Sequence, residues 1–426
     1  MLFVPEDTVA YEELSAVLGG WEGFEIVAVR REPASARQPV PRVVIELQPT
    51  PTRAKRCSRC DAEVVTVHEV TTRRVWDLPL MDAETWIEFP RARVECPRCG
   101  PTVEAVPWLD RYQRMTTRLA AAIARLAQVL PLKHVAQWFG VGWETVKQID
   151  QRALLARLGP IDLTDVRQIA IDEFAIHRGH RYATVVANPL TRKVLWVGRG
   201  RGREDLRPFF VLLGPEGCAR LEAAAIDMSG AYAEELRAHC PHVAIVYDLF
   251  HVVAKYGREV VDRVRLDETL RLAGPARGHE AAQRARRRVL KGTRWLLLRN
   301  RETVTRPADR VRLRDLLAAN RALFTVYVLK DDLKQLWRYH YPAAARRFWA
   351  QWRARALASR LAPLRAFVQR LTPYLEGIIN HCRYPLHTSV LEGINNKIKV
   401  IKRMAYGYRD DDYFFLKIRA AFPGIP

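Results

Sequence analysis

Three acidic residues stand far apart in the chain, and each sits where a carboxylate could do chemistry. Asp172 lies inside an apolar strand-like run, Val166-Arg-Gln-Ile-Ala-Ile-Asp172-Glu-Phe-Ala-Ile176. Asp227 closes a second apolar run, Ala223-Ala-Ala-Ile-Asp227-Met-Ser-Gly230, and Glu392 opens a basic helical stretch, Ser389-Val-Leu-Glu392-Gly-Ile-Asn-Asn-Lys-Ile-Lys399. A carboxylate following Ile169 and Ile171 in a strand is costly to bury unless a cation meets it. A salt bridge would serve, and a metal ion is the more economical account. Taken singly, the other two have ordinary explanations. Asp227 reads as a turn or N-cap residue, and Ser389-x-x-Glu392 matches a capping box. Brought together, the three would suit phosphodiester cleavage, in which two Mg²⁺ or Mn²⁺ ions about 4 Å apart are held by hard oxygen ligands.

The helix that Glu392 opens argues for more than a cap. At about 100° per residue, Glu392, Asn396, Lys399 and Arg403 share one stripe, while Leu391, Ile394, Ile398 and Ile401 fall on the opposite side. One face would pack on a core, and the other would present a carboxylate, an amide and successive cations to DNA. The other two acids belong to a stretch that reads strand, strand, strand, helix, strand, helix, strand between residues 167 and 253. The runs are 169–176, 182–187, 194–198, 204–213, 223–227, 231–239 and 243–248. With one acid on the first strand and another ending the fourth, this is the order that an RNase H-like mixed sheet requires. Glu173 points to the opposite face from Asp172 by strand alternation.

The bulk properties fit a polyanionic partner. The 426 residues carry a formal net charge of +22, and 49% of them are hydrophobic, enough to build real cores. Such a charge answers an anion, and nucleic acid is the leading candidate because Lys and Arg contacts to phosphate release counterions. No apolar run is long enough to span a bilayer. The start, Met1-Leu-Phe-Val-Pro-Glu-Asp7, has neither the basic nor the apolar region of a secretion signal, so a cytoplasmic protein is expected.

Of seven cysteines, four form two Cys-x-x-Cys pairs, Cys57/Cys60 and Cys96/Cys99, separated by β-rich sequence. Two such knuckles supply the four thiolates of a closed, structural Zn²⁺ site resembling a zinc ribbon. Cys218, Cys240 and Cys382 lie among apolar neighbours and read as core. Downstream, residues 132–149 have helix-turn-helix spacing: the small Ala136 four before Gly140, and the apolar Val146 six after it. An ordinary helix pair can share that spacing, but the charge and the zinc unit favour DNA, with Trp143, Glu144, Lys147 and Gln148 facing the major groove.

Nearly end to end, the chain resembles the DDE transposases of the bacterial ISL-three insertion-sequence family. Ile171-Asp172-Glu-Phe, Asp227-Met-Ser and Leu391-Glu392-Gly-Ile-Asn-Asn-Lys-Ile-Lys carry the resemblance, together with the zinc and helix-turn-helix units. It implies that Asp172, Asp227 and Glu392 are the catalytic metal ligands, and that helices are inserted between the second aspartate and the glutamate. The 165-residue separation of Asp227 and Glu392, rich in arginine, agrees. Tyr247-Asp248-Leu-Phe-His251 is similar to a (Cys/Asp)-x-x-His signature of transposases with such insertions. Asp248 and His251 could position the scissile phosphate or contact an unpaired base, and Asp248 is the alternative to Asp227 as second metal ligand. The implied reaction frees 3′-hydroxyls at terminal inverted repeats and joins them to target DNA, with no covalent protein–DNA intermediate. A homodimer or larger complex on DNA is expected.

The expected fold is an α+β multidomain protein: an N-terminal region with zinc ribbon over 1–105, a helix-turn-helix domain over 106–160, and an RNase H-like core over 161–254. An all-α insertion over 255–375 interrupts that core, which resumes over 376–426 with the Glu392 helix. Arg284, Arg286, Arg287, Arg288, Lys291 and Arg294 form either a solvated helix face or a track along DNA phosphates. Trp295, Trp337, Trp349 and Trp352 are either core or platforms for a flipped base. Two other readings remain: a non-catalytic zinc and helix-turn-helix regulator, and an RNase H-like nuclease without strand transfer.

Overall fold

The structure, a computed structural model, describes residues 15, 17–36, 38–177, 179, 181–271, 293–299, 301–386 and 389–425. Two compact units emerge. One holds the residues up to Gly159 with Lys402–Arg409; the other holds Pro160–Ile401 with Asp410 onward.

The first unit begins as a sheet of five strands, β1 (Phe24–Glu32), β2 (Arg42–Pro49), β3 (Val67–Leu80), β4 (Ala83–Cys96) and β5 (Gly100–Val103). They are ordered β1-β2-β4-β3, with β5 on the end of β4. Alternation explains β4, where Ala83, Thr85, Ile87 and Phe89 are buried and the residues between them are half-buried. β3 is longer than the sequence pattern suggests. The sequence pattern gives separate runs over 63–70 and 73–78 with a break at Thr71-Thr72, yet the strand pairs along β4 from Val67 to Leu80, its exposed polar centre included. Phe24, Phe89 and Trp108 meet edge to face in the core, at 5.3–5.7 and 4.8 Å. The buried Asp77 ties this sheet to the helices that follow. It accepts hydrogen bonds from Trp21 Nε1 (3.0 Å), Thr116 Oγ1 (2.6 Å) and the Arg118 guanidinium. Helices α1 (Thr117–Leu126), α2 (Leu132–Phe139) and α3 (Trp143–Leu158) complete the unit around Leu119, Ile123, Val135, Ala136 and Val146.

The second unit is built on β6 (Gln168–His177), β7 (Arg181–Ala187), β8 (Val194–Arg199), β9 (Ala223–Ile226) and β10 (Ala244–Tyr247). Their order is β10-β9-β6-β7-β8. β6, β7 and β8 are antiparallel neighbours, whereas β9 and β10 run parallel to β6. This is the RNase H-like arrangement, a meander followed by crossover strands on the other side of the first strand. The crossovers are α4 (Arg203–Arg220) and α5 (Gly230–His239). α4 runs past the expected end at residue 213 because the chain bends there, Gly214 taking φ +72°, and then resumes helical turns. The two helices are clamped by Glu235, buried and bonded to Arg203 (2.8 Å), Arg207 (3.0 Å) and His239 (3.0 Å).

From Leu249 to Leu386 the described chain is helical: α6 (Leu249–Tyr256), α7 (Asp262–Arg271), α8 (Arg294–Leu298), α9 (Pro307–Ala319), α10 (Arg321–Lys334), α11 (Pro342–Ala358), α12 (Ala362–Leu371) and α13 (Leu375–Ile379). Trp337, Trp349 and Trp352 are buried among these helices, so three of the four candidate base platforms are core; Trp295 keeps 40% exposure. The fully buried Lys330 closes the end of α8, donating to the carbonyls of Leu297 (2.7 Å) and Arg299 (2.8 Å). Two last helices, α14 (Ser389–Met404) and α15 (Asp411–Ala421), end the fold. No described helix is long and apolar enough to cross a membrane.

Candidate active site and metal centres

The parallel register sets the three aspartates side by side. Ala170 stands opposite Ala225, and Ile226 opposite Tyr247. Carried one or two residues on, that register puts Asp172, Asp227 and Asp248 at one level across adjacent strands, where β9 and β10 have just ended. The residues before them, Ile171, Ile226 and Tyr247, belong to the apolar core on the other face. Asp172 Oδ1 accepts from the backbone N–H of Glu173 (2.9 Å), and Asp227 Oδ1 from that of Ser229 (2.9 Å).

This corner gathers like charges. Burial lifts the Asp172 carboxyl to about 6; the charges of Asp227 and Asp248 push the same way, against hydrogen bonds from Glu173 and Asn395. Burial also raises Asp227, opposed by the Ser229 bond and by His251. Glu173 follows the strand alternation, being paired with Thr184 on the far face. Even so, burial, then Asp227 and Asp172, raise it to about 7, with Arg201 and His251 opposing.

Glu392 arrives on α14, whose Leu391, Ile394 and Ile398 are buried while Glu392, Asn396, Lys399 and Arg403 are exposed. Its neighbour Asn395 was not singled out from the sequence. Nearly buried, it donates from Nδ2 to Asp172 Oδ2 at 2.7 Å. The signal was the i+3 spacing from Glu392, which shares its helix side as well as i+4 does. Thus the helix carrying the glutamate is fastened to the first aspartate. Among the described residues, Asp172, Asp227 and Glu392 do not form a set of donors within 4.8 Å of one another; only the four cysteines do. Hard oxygen donors gathered in a partly buried, like-charged corner nevertheless suit a hard divalent cation.

The cysteines fit zinc more closely. Their four sulfurs lie within 4.8 Å of one another, and Cys60 and Cys96 Sγ are 3.6 Å apart. A tetrahedron with Zn–S bonds of 2.3 Å needs sulfurs about 3.8 Å apart. The knuckles are the loop before β3 and the turn from β4 into β5, so the long β3–β4 hairpin brings the two pairs together. Burial opposes ionisation of Cys57, yet backbone N–H groups of Arg59 and Cys60 and the neighbouring thiols bring it down to about 6.

In the helix-turn-helix, Gly140 caps α2 at φ +66°, its N–H bonded to the Ala136 carbonyl. Val146 is fully buried, and Trp143 is 58% exposed. Glu144 and Gln148 are exposed, with Lys147 half-buried 4.0 Å from Glu144. Arg284, Arg286, Arg287, Arg288 and Lys291 lie outside the described residues. Arg294 is paired with Asp262 at 2.7 Å.

An RNase H-like sheet with one carboxylate on its first strand and two just past the ends of its parallel crossover strands, accompanied by a helix-turn-helix and a four-cysteine centre, defines a DNA-processing enzyme of the DDE class. A family model described as "Transposase", of the ISL3 DDE group, matches residues 169–418, and one described as "Helix-turn-helix domain of transposase family ISL3" matches residues 104–154. The chain belongs to the ISL3 transposase family. It is 50% identical over 413 residues, 97% of this chain and 98% of the relative, to the transposase for insertion sequence element IS1001 of Bordetella parapertussis. It is 28% identical over 385 residues, 86% of each chain, to the transposase for insertion sequence element IS1557 of Mycobacterium tuberculosis.

Proposed function

We propose that this transposase binds the terminal inverted repeats of an insertion sequence, cuts the DNA there and joins the freed 3′-hydroxyls to a target. Asp172, Asp227 and Glu392 hold the divalent ions, Mg²⁺ or Mn²⁺, and Cys57, Cys60, Cys96 and Cys99 hold one structural Zn²⁺. When bound, two such ions would activate a water and neutralise the departing oxyanion. Asn395 orients Asp172 through its amide. Asp248 and His251 border the site and position the scissile phosphate. End recognition falls to Trp143, Glu144, Lys147 and Gln148 in the major groove, and Asn396, Lys399 and Arg403 follow the DNA along α14. The protein acts as a dimer or larger assembly, because two ends must be cut together.

The observation that carries this reading is the bond from Asn395 to Asp172, which couples the glutamate-bearing helix to the first of the aligned aspartates. The test is incubation with a labelled element end in Mg²⁺ or in EDTA, beside Glu392→Ala. Metal-dependent nicking lost in the variant is expected. Retarded DNA without any nicking would mean a regulator, and cut ends that never join a target plasmid would mean a simple nuclease.

A further inference from the structure

The loop from β8 into α4 reads Arg199-Gly-Arg201-Gly-Arg203, three arginines at alternate positions. The outer two are fastened. Arg199 pairs with Asp411 (2.9 Å) and Asp412 (3.0 Å) of α15, and Arg203 pairs with the buried Glu235 (2.8 Å). The glycine between Arg199 and Arg201 is fixed from both sides. Gly200 donates its N–H to the Tyr182 carbonyl (2.8 Å), and its own carbonyl accepts from Thr184 Oγ1 (2.8 Å). Gly200 has φ +86°, and a Cβ there would fall 2.0 Å from the Asp205 carboxylate, so a side chain would be strained and would displace Asp205.

Arg201 is held differently. Among the described residues no carboxylate pairs with it; its guanidinium lies over the Tyr182 ring, 4.0 Å from the centroid. It is exposed. Tyr182 and Thr184 alternate along β7 on the face shared by Glu173, which pairs with Thr184. Thr184, which holds this loop through the Gly200 carbonyl, is the register partner of Glu173, the residue after Asp172, so the exposed charge stands one strand over from the acidic corner. Stacking leaves the edge of a guanidinium free to donate, and that edge suits the two oxygens of a phosphate.

We propose that Arg201 grips a backbone phosphate of the DNA strand entering the acidic site, with the anchored loop and the Tyr182 ring presetting its direction. The inference rests on the reading of that corner as the cutting site. It predicts a substrate-positioning contact that reads no base.

The test uses the full chain and a labelled duplex from the element's own end, with affinity measured across a salt series in Ca²⁺ and cleavage measured in Mg²⁺. Losing one phosphate contact should lower the slope of log affinity against log salt by about 0.9 in Arg201→Ala and Arg201→Gln. Arg201→Lys should keep the slope. Cleavage should fall at least roughly tenfold in Ala and Gln and be partly restored in Lys, the loss expected from a charged hydrogen bond. Unchanged salt slopes in both neutral variants, with unchanged melting, would overturn the grip. A wild-type chain that binds the end without cutting it, while the neutral variants still lose slope, would sink the cutting reading and leave the grip standing.

Discussion

At Asp172 the fold accepts a carboxyl whose pKa is moved from 3.8 to about 6. Because the folded value lies above the unfolded one, the stability this group contributes without a divalent ion is complete below about pH 4 and lost as pH climbs through about 6. A bound ion needs the ionised form, so protons compete with it in the same window. Mn²⁺ should therefore raise the melting temperature strongly at pH 7.5 and progressively less as pH falls below about 6. Melting scans across a Mn²⁺ titration at several pH values check this, and a pH-independent Mn²⁺ effect would remove Asp172 from the ligand set. Asn395→Ala deletes the amide that holds Asp172 at 2.7 Å. A hydrogen bond to a charged group is worth about 1.5–3 kcal/mol, so cleavage should drop roughly 10- to 100-fold while DNA binding is retained. Comparison of Asp227→Ala with Asp248→Ala decides the second ligand. Full cleavage by the Asp227 variant would transfer that role to Asp248.

Elements show which features a sequence exposes. The strands and crossovers of the second unit were legible because their apolar runs are short and the later ones alternate with helical periods, two of them closing on an aspartate. Both knuckles and the turn at Gly140 were legible for a related reason: few residue types satisfy a tight turn or a soft metal. The strand segments of the β3–β4 hairpin were legible too, but the continuity of β3 through Thr71-Thr72 was not, since a polar, exposed strand centre carries no apolar period. Nor was the Asn395 contact, because residues three and four along a helix from Glu392 look equally placed until the strand they meet is known. Gly140 gives a test at this scale. An added Cβ would meet only Glu84 Oε1 at 3.7 Å, so Gly140→Ala carries no clash and isolates the backbone cost of φ +66°. That cost is about 1–2 kcal/mol. The variant should lose that much stability, melt at a lower temperature and bind the element end more weakly. Unchanged melting would show that the turn tolerates a side chain after all.

For the whole molecule, the +22 charge sets non-specific affinity for DNA, and the division into two units determines how metal loss should spread. Cys57, Cys96, Val64, Ala92 and Val94 form their own small cluster, distinct from the cluster around Phe24, Ile87 and Trp108. The apolar core of the second unit is separate from both. A site that gathers ligands from either end of the β3–β4 hairpin closes a long loop, so zinc binding is folding energy for that sheet. Cys96→Ser or exhaustive chelation of Zn²⁺ should therefore lose β-structure and produce an early unfolding transition, leaving a later one near the wild-type temperature. Element-end binding should fall with the first transition. Circular dichroism melts on the zinc-replete and zinc-stripped chain, with zinc content measured on both, separate the possibilities. A single unaltered transition in protein shown to lack zinc would mean that the four thiols pack without supporting the sheet.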